Sequence, residues 1–196
     1  MTSVFDVASE MITRSPQRME SVKLQKLCFY AFGWYAHLTN EALFDEAFYA
    51  MAKGPVVGEL LSAHAQSTHV DLTMLQRQQV EREEGRSDTD PYLTAVLDAV
   101  WGAYGSMSSW DLVDLTHTEE VWTQAWSSRD KPRRGDLPHK QLISYFAERV
   151  PRASEGLALP QPMVSRIDAA ALTRSEEEAS QYMPFVTAIR RFTTAA

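Results

Sequence analysis

Apolar residues follow two rhythms along this chain, and the switches between them mark its elements. Val4, Ala8, Met11 and Ile12 recur at helical spacing behind Ser3, and Asp6 stands three residues after that serine, as in a capping box. This predicts a helix over 4–14, stopped by Ser15-Pro16. The stretch KLQKLCFYAFGWYAH, 23–37, and the leucine after it place Leu24, Leu27, Cys28, Ala31, Tyr35 and Leu38 on one broad face of a second helix. Lys23, Lys26 and Tyr30 fall off that face and are expected at its exposed edge. In EALFDEAFYAMAKGP the apolar residues loosely alternate and aromatics abound, which predicts a short hairpin or extended segment. Gly54 suits a turn, and Pro55 suits the first turn of a helix over 55–66 carrying Val56, Leu60, Ala63 and His64.

Residues 76–90 are polar and charged, as in a loop or a frayed helix end. Asp90 and Pro91 then open a helix whose apolar side is Val96, Leu97, Val100, Trp101 and Tyr104, with Gly105 at its stop. SSWDLVDLTHTEEVWTQAW predicts two short helices, with Ser108/Asp111 and Thr116/Glu119 as capping boxes. KPRRGDLP reads as a basic loop, and a helix over 138–149 carries Leu142, Tyr145 and Phe146. PRASEGLALPQPMV holds three prolines and a glycine, the composition of an extended linker. The expected fold is mostly α: a compact helical domain over 1–150 with a small β-hairpin, a Pro-rich linker over 151–165, and a helical C-terminal extension over 166–196. In that extension Phe185, Val186, Ile189 and Phe192 share one face.

Composition narrows the function. With 44% hydrophobic and 23% charged residues, the 196-residue chain is expected to fold. Its net charge of -7 repels phosphate backbones and anionic lipid, so nucleic acid is disfavoured as a partner. The tail from 151 carries five basic and five acidic residues, so the negative charge sits in the domain. The run Lys131 to Arg134 is a local basic exception whose ordinary role is a solvated loop. The N-terminus lacks a basic flank before a long apolar run, and no apolar run approaches the ~18 residues that cross a bilayer. A cytoplasmic protein without a membrane partner is expected.

Candidate chemistry is thin. Cys28 is the sole cysteine and lies on the apolar stripe, so it reads as core in preference to a thiol nucleophile. The five histidines are scattered without metal-ligand spacing. AKGPVVGEL lacks the residue order of a phosphate loop. His117 ahead of Glu119 and Glu120 has the makings of a general base, but capping already accounts for the neighbouring threonines and glutamates. No catalytic residue, metal or cofactor is expected.

KLQKLCFYAFGWY, KGPVVGELLSAH, LVDLTHTEEVWTQAW and LISYF occur in this order. Together they resemble the Panacea domain family of SocA-type antitoxins, also found among phage-associated proteins. The resemblance covers about residues 1–150, and Cys28-Phe29-Tyr30 stands where many relatives carry tyrosines and aliphatics. It implies a mostly helical fold with a β element near Leu43 to Ala52, and no enzyme. It implies an antitoxin of a toxin–antitoxin system that neutralises a cognate toxin by direct contact. The alternative is a proteolytic adaptor that delivers the toxin to a ClpXP-type protease. A homo-oligomer stays open. Partner contacts are expected from the tail, at Phe185, Ile189, Arg190, Arg191 and Phe192, with Lys23, Lys26 and Tyr30 as a second surface.

Overall fold

Ser3 starts the first helix as its spacing predicts. Its side chain accepts from the Asp6 amide at 3.3 Å, and Asp6 accepts in return from the Ser3 amide at 3.0 Å. The computed structural model describes residues 2–65, 67–81 and 90–164. Its elements run α1 (Val4–Arg14), β1 (Met19–Glu20), α2 (Ser21–Thr39), β2 (Phe48–Met51), β3 (Gly54–Val57), α3 (Gly58–Ala63), β4 (His69–Val70) and α4 (Leu72–Glu81). They continue with α5 (Pro91–Tyr104), α6 (Ser109–His117), α7 (Glu120–Ser127), β5 (Gly135–Leu137), α8 (His139–Glu148) and a 3-10 turn at Ala153–Glu155. The chain is thus mostly helical with small antiparallel sheets. It divides into a compact unit, Met1–Met163, and a second, Val164–Ala196. The expected extension, 166–196, lies outside the described residues, together with its candidate contacts Phe185, Ile189, Arg190, Arg191 and Phe192.

Helix α2 is the axis of the first unit. It packs against α1, α5, α6, α8 and β3, so it has neighbours on every side. Leu24, Phe29, Tyr30, Phe32 and Trp34 are all sealed from solvent. Each such side chain contributes about 1.5–3 kcal/mol relative to an exposed position. The single apolar stripe read from the sequence is therefore too narrow, and the expected exposed edge of Lys23, Lys26 and Tyr30 does not exist. Lys26 is 1% exposed and Tyr30 is fully buried. Lys23 is half-buried, and its amine donates to the carbonyls of Gly105 and Met107 at 2.6 and 2.8 Å. A helix enclosed on all sides takes its polar residues inward and must satisfy them there.

The expected hairpin forms, but its second strand and the following helix are displaced from the reading above. β2 pairs with β3 from Phe48↔Val57 to Met51↔Gly54, around a turn at Ala52 and Lys53. Gly54 has φ +95°, which a side chain disfavours. Pro55 lies inside β3 opposite Ala50, and the helix starts only at Gly58. Its missing N–H is tolerated because β3 is an edge of the β3-β2-β5 sheet. The other edge is β5, which emerges from the expected basic loop and pairs Leu137 with Phe48. The second sheet is the pair β1-β4.

Local caps fall where the sequence puts them at α5 and α6. Asp90 accepts from the Tyr92 amide ahead of Pro91, and Ser108 and Asp111 form a complete capping box. The stretch 151–163 is not a free linker. The Met163 amide donates to the Leu38 carbonyl at 2.9 Å and the Tyr92 hydroxyl to the Gln161 carbonyl at 2.7 Å, while Leu157 and Leu159 pack on the core.

α2 meets α8 at Gly33. A Cβ there would lie 2.2–2.4 Å from three ring atoms of Phe146, which is itself buried. Gly33→Ala is expected to lose about 1–3 kcal/mol in denaturant unfolding, since overpacking forces side chains off their rotamers. Phe146→Leu in the same chain should recover part of that loss. Full additivity of the two substitutions would show that the contact is not the cause.

Candidate partner-binding site

Two arrangements on α2 carry the polar residues that the sequence singled out. The first surrounds Glu119. This residue precedes α7, yet its side chain caps nothing, so the expected Thr116/Glu119 capping box is absent. Thr116 is buried and donates to the Val113 carbonyl at 2.9 Å. Glu119 turns inward instead. Its Oε2 accepts from Arg149 Nε at 2.8 Å, and its Oε1 accepts from Arg149 Nη2 at 2.7 Å and from the Tyr30 hydroxyl at 3.1 Å. The Tyr145 hydroxyl donates to Oε2, and Arg149 also holds Glu155. Burial and the Glu119 charge push the Tyr30 hydroxyl well up, which keeps it a donor. Burial and the bond to Glu119 likewise push Tyr145 up to about 12. The Arg149 guanidinium lies 4.6 Å from the Trp34 ring, and the Trp34 indole donates to the Tyr104 hydroxyl at 3.0 Å. Glu119 lies 30 residues from Arg149, so no local pattern announces their pairing.

This commits Glu119 and removes it as a partner for His117. The His117 ring stacks on Trp122 at 4.0 Å between centroids, and burial, with the nearby Lys26 amine, lowers its pKa. Its Nε2 is buried without a hydrogen-bond partner among the described residues. Cys28 is in the core, where burial pushes its thiol far up and leaves it unreactive. Among the described residues no group of three or more His, Cys, Asp or Glu could hold a metal ion, and no helix is long and apolar enough to cross a membrane.

The second arrangement is a cavity of about 300 Å³ between the start of α2, the β2–β3 turn and α3. Val22, Met51, Val56 and Leu61 supply apolar wall, and Ser21, Gln25, Lys26, Lys53 and His64 are the polar residues around it. Gln25 is clamped: its Oε1 accepts from the Val57 amide at 2.8 Å, and its amide nitrogen lies 3.1 Å from His64 Nε2. That orientation makes His64 Nε2 an acceptor, consistent with a ring kept neutral by burial. Lys26 donates to the Pro55 carbonyl at 2.9 Å, and burial brings its pKa down to about 7. At the rim, the Lys53 amine sits 5.2 Å from the ring of Trp110, which is 64% exposed.

Gln25, Lys26, Lys53, Val56, Leu61 and His64 of the cavity wall come from KLQKLC and KGPVVGELLSAH, two of the stretches quoted above for their order along the chain, and Ser21, Val22, Met51 and Ala52 flank them. Both motifs were visible in the sequence, but their meeting at a concave surface was not. A family model described as the Antitoxin SocA-like, Panacea domain matches residues 24–123, from α2 into α7. No curated protein and no solved structure matches the chain. The chain that builds this cavity belongs to the SocA-like antitoxin family and carries its Panacea domain.

Proposed function

We propose that this chain is the antitoxin of a toxin–antitoxin pair and neutralises a cognate toxin by direct binding. The observation that carries the reading is the antitoxin-family match, which takes in the axis helix from Leu24 on and the whole of KGPVVGELLSAH. The site chemistry agrees with binding in preference to turnover. Lys26 and His64 are held in structural bonds, while the apolar hollow and exposed aromatic rim are what a protein interface uses. A cytoplasmic toxin is the expected partner, and the tail residues Phe185, Ile189, Arg190, Arg191 and Phe192 are proposed to add contacts of their own.

Co-expression tests this. The product of the adjacent gene should arrest growth alone, and the full chain should restore it. A harmless neighbour, or no rescue, removes the antitoxin reading. Rescue with an unchanged or raised toxin level supports neutralisation. Rescue with a shortened toxin half-life, lost when the ClpXP-type protease is deleted, identifies a proteolytic adaptor instead. A chain ending at Met163 that rescues as well as the full one removes the tail from the interface.

A further inference from the structure

We propose that the cavity between α2, the β2–β3 turn and α3 is the pocket into which the toxin inserts one large apolar side chain carried beside a carboxylate. This rests on the antitoxin reading and specifies its contact. The size comes first. At about 300 Å³ the hollow is at the small end of ligand sites, roughly 300–1,000 Å³. It therefore suits a single side chain better than a cofactor. Its wall of Val22, Val56 and Leu61 offers an apolar guest no hydrogen bonds to satisfy.

Charge then selects the flank of that side chain. Among the described residues, the ionisable ones lining the cavity are Lys26, Lys53 and His64, with no carboxylate, in a chain of net charge -7. Lys26 is bonded to a carbonyl, not to an anion. Lys53 reaches over Trp110 at the rim, so an incoming carboxylate meets a cation against an exposed aromatic face. A basic flank would be repelled by the Lys53 amine, which gives the pocket a preference for acidic neighbours. Trp110, mostly exposed beside a concave apolar site, has the character of an interface anchor.

The test uses full-length chain and purified toxin in a titration calorimeter. Lys53→Glu should weaken binding at least tenfold and Lys53→Arg should not, with the thermal midpoint unchanged in both. Val56→Trp, which fills the hollow, should weaken binding similarly; because that substitution risks the fold, Trp110→Ala at the exposed rim serves as its independent check. A carboxylate-to-lysine change in the toxin should restore binding to Lys53→Glu. Folded variants that bind like the parent overturn the pocket while leaving neutralisation standing, since the parent still rescues growth. Variants that alter self-association alone overturn it in favour of a second copy of this chain. Variants that lose effect once residues 164–196 are deleted overturn it in favour of the chain's own tail. Failure of the parent itself to bind or rescue removes the antitoxin reading and the pocket together.

Discussion

Arg149→Met is expected to destabilise the protein by about 3–5 kcal/mol, the penalty of leaving a buried charge without its partner. The carboxylates of Glu119 and Glu155 are 0% and 4% exposed, and Arg149 is the cation between them. Methionine keeps much of the volume over Trp34 but supplies no donor, so Glu119 is left with the neutral Tyr30 and Tyr145 hydroxyls and Glu155 with Arg152, its amide at 3.1 Å and its guanidinium at 3.9 Å. Urea unfolding of the two proteins measures the loss. The double substitution Arg149→Met with Glu119→Gln discriminates the cause. If the stranded charge dominates, the double variant is more stable than Arg149→Met alone. If it is equally or less stable, the loss is one of packing, and the electrostatic account is wrong.

Lys26→Met should act in the opposite direction, and its effect should depend on pH. Unfolded, the amine titrates near 10.5; folded, burial lowers it to about 7. Below pH 7 both states hold the proton and the cost of burying the charge is present in full. Between about 7 and 10.5 the unfolded state binds more protons, so the parent gains stability as pH rises relative to the variant. The gain is about 1.4 kcal/mol per pH unit across that window. The variant is relieved of that burial cost, but it abandons the Pro55 carbonyl, a loss of about 1–3 kcal/mol. The variant should therefore be the more stable protein at pH 6 and lose that advantage towards pH 10. Groups elsewhere, Cys28 and the buried tyrosines among them, titrate in both proteins and cancel in the difference; His117, which senses the Lys26 charge, should titrate higher in the variant. A stability difference that is flat with pH would mean that the amine is not buried as a charge.

The parts legible in the sequence are those whose signal is local. Ser3 with Asp6, Asp90 with Pro91, and Ser108 with Asp111 each satisfy backbone groups within three residues, and each helix begins where that chemistry says. Pro55 shows the limit of such signals. Its fixed φ fits a helix start and an edge strand equally, and only pairing with Ala50 decides. β5 was hidden for the same reason, since Gly135 to Leu137 become a strand only by meeting β2 from far along the chain. Periodicity in α2 told which residues share a face, not how many faces would be covered, and so Lys26 and Tyr30 were placed outside when they are inside. The cavity was half legible: its wall motifs stood out by their order, while the hollow arises from the way α2, the hairpin and α3 cross.

The path of residues 149–163 decides where the first unit closes on itself. Arg149 and Glu155 lie beyond the family match, yet they close an ion network around a glutamate within it. Leu157, Leu159 and the Met163 amide then fasten the chain back onto the core and the end of α2. A polypeptide ended at residue 123, the C-terminal edge of the recognised domain, or at 150, would keep the whole cavity wall and still lose the strap that clasps the axis helix. The smallest piece that should keep the cavity and its clasp intact ends after Met163, so a boundary drawn from family likeness alone falls short of the physical one.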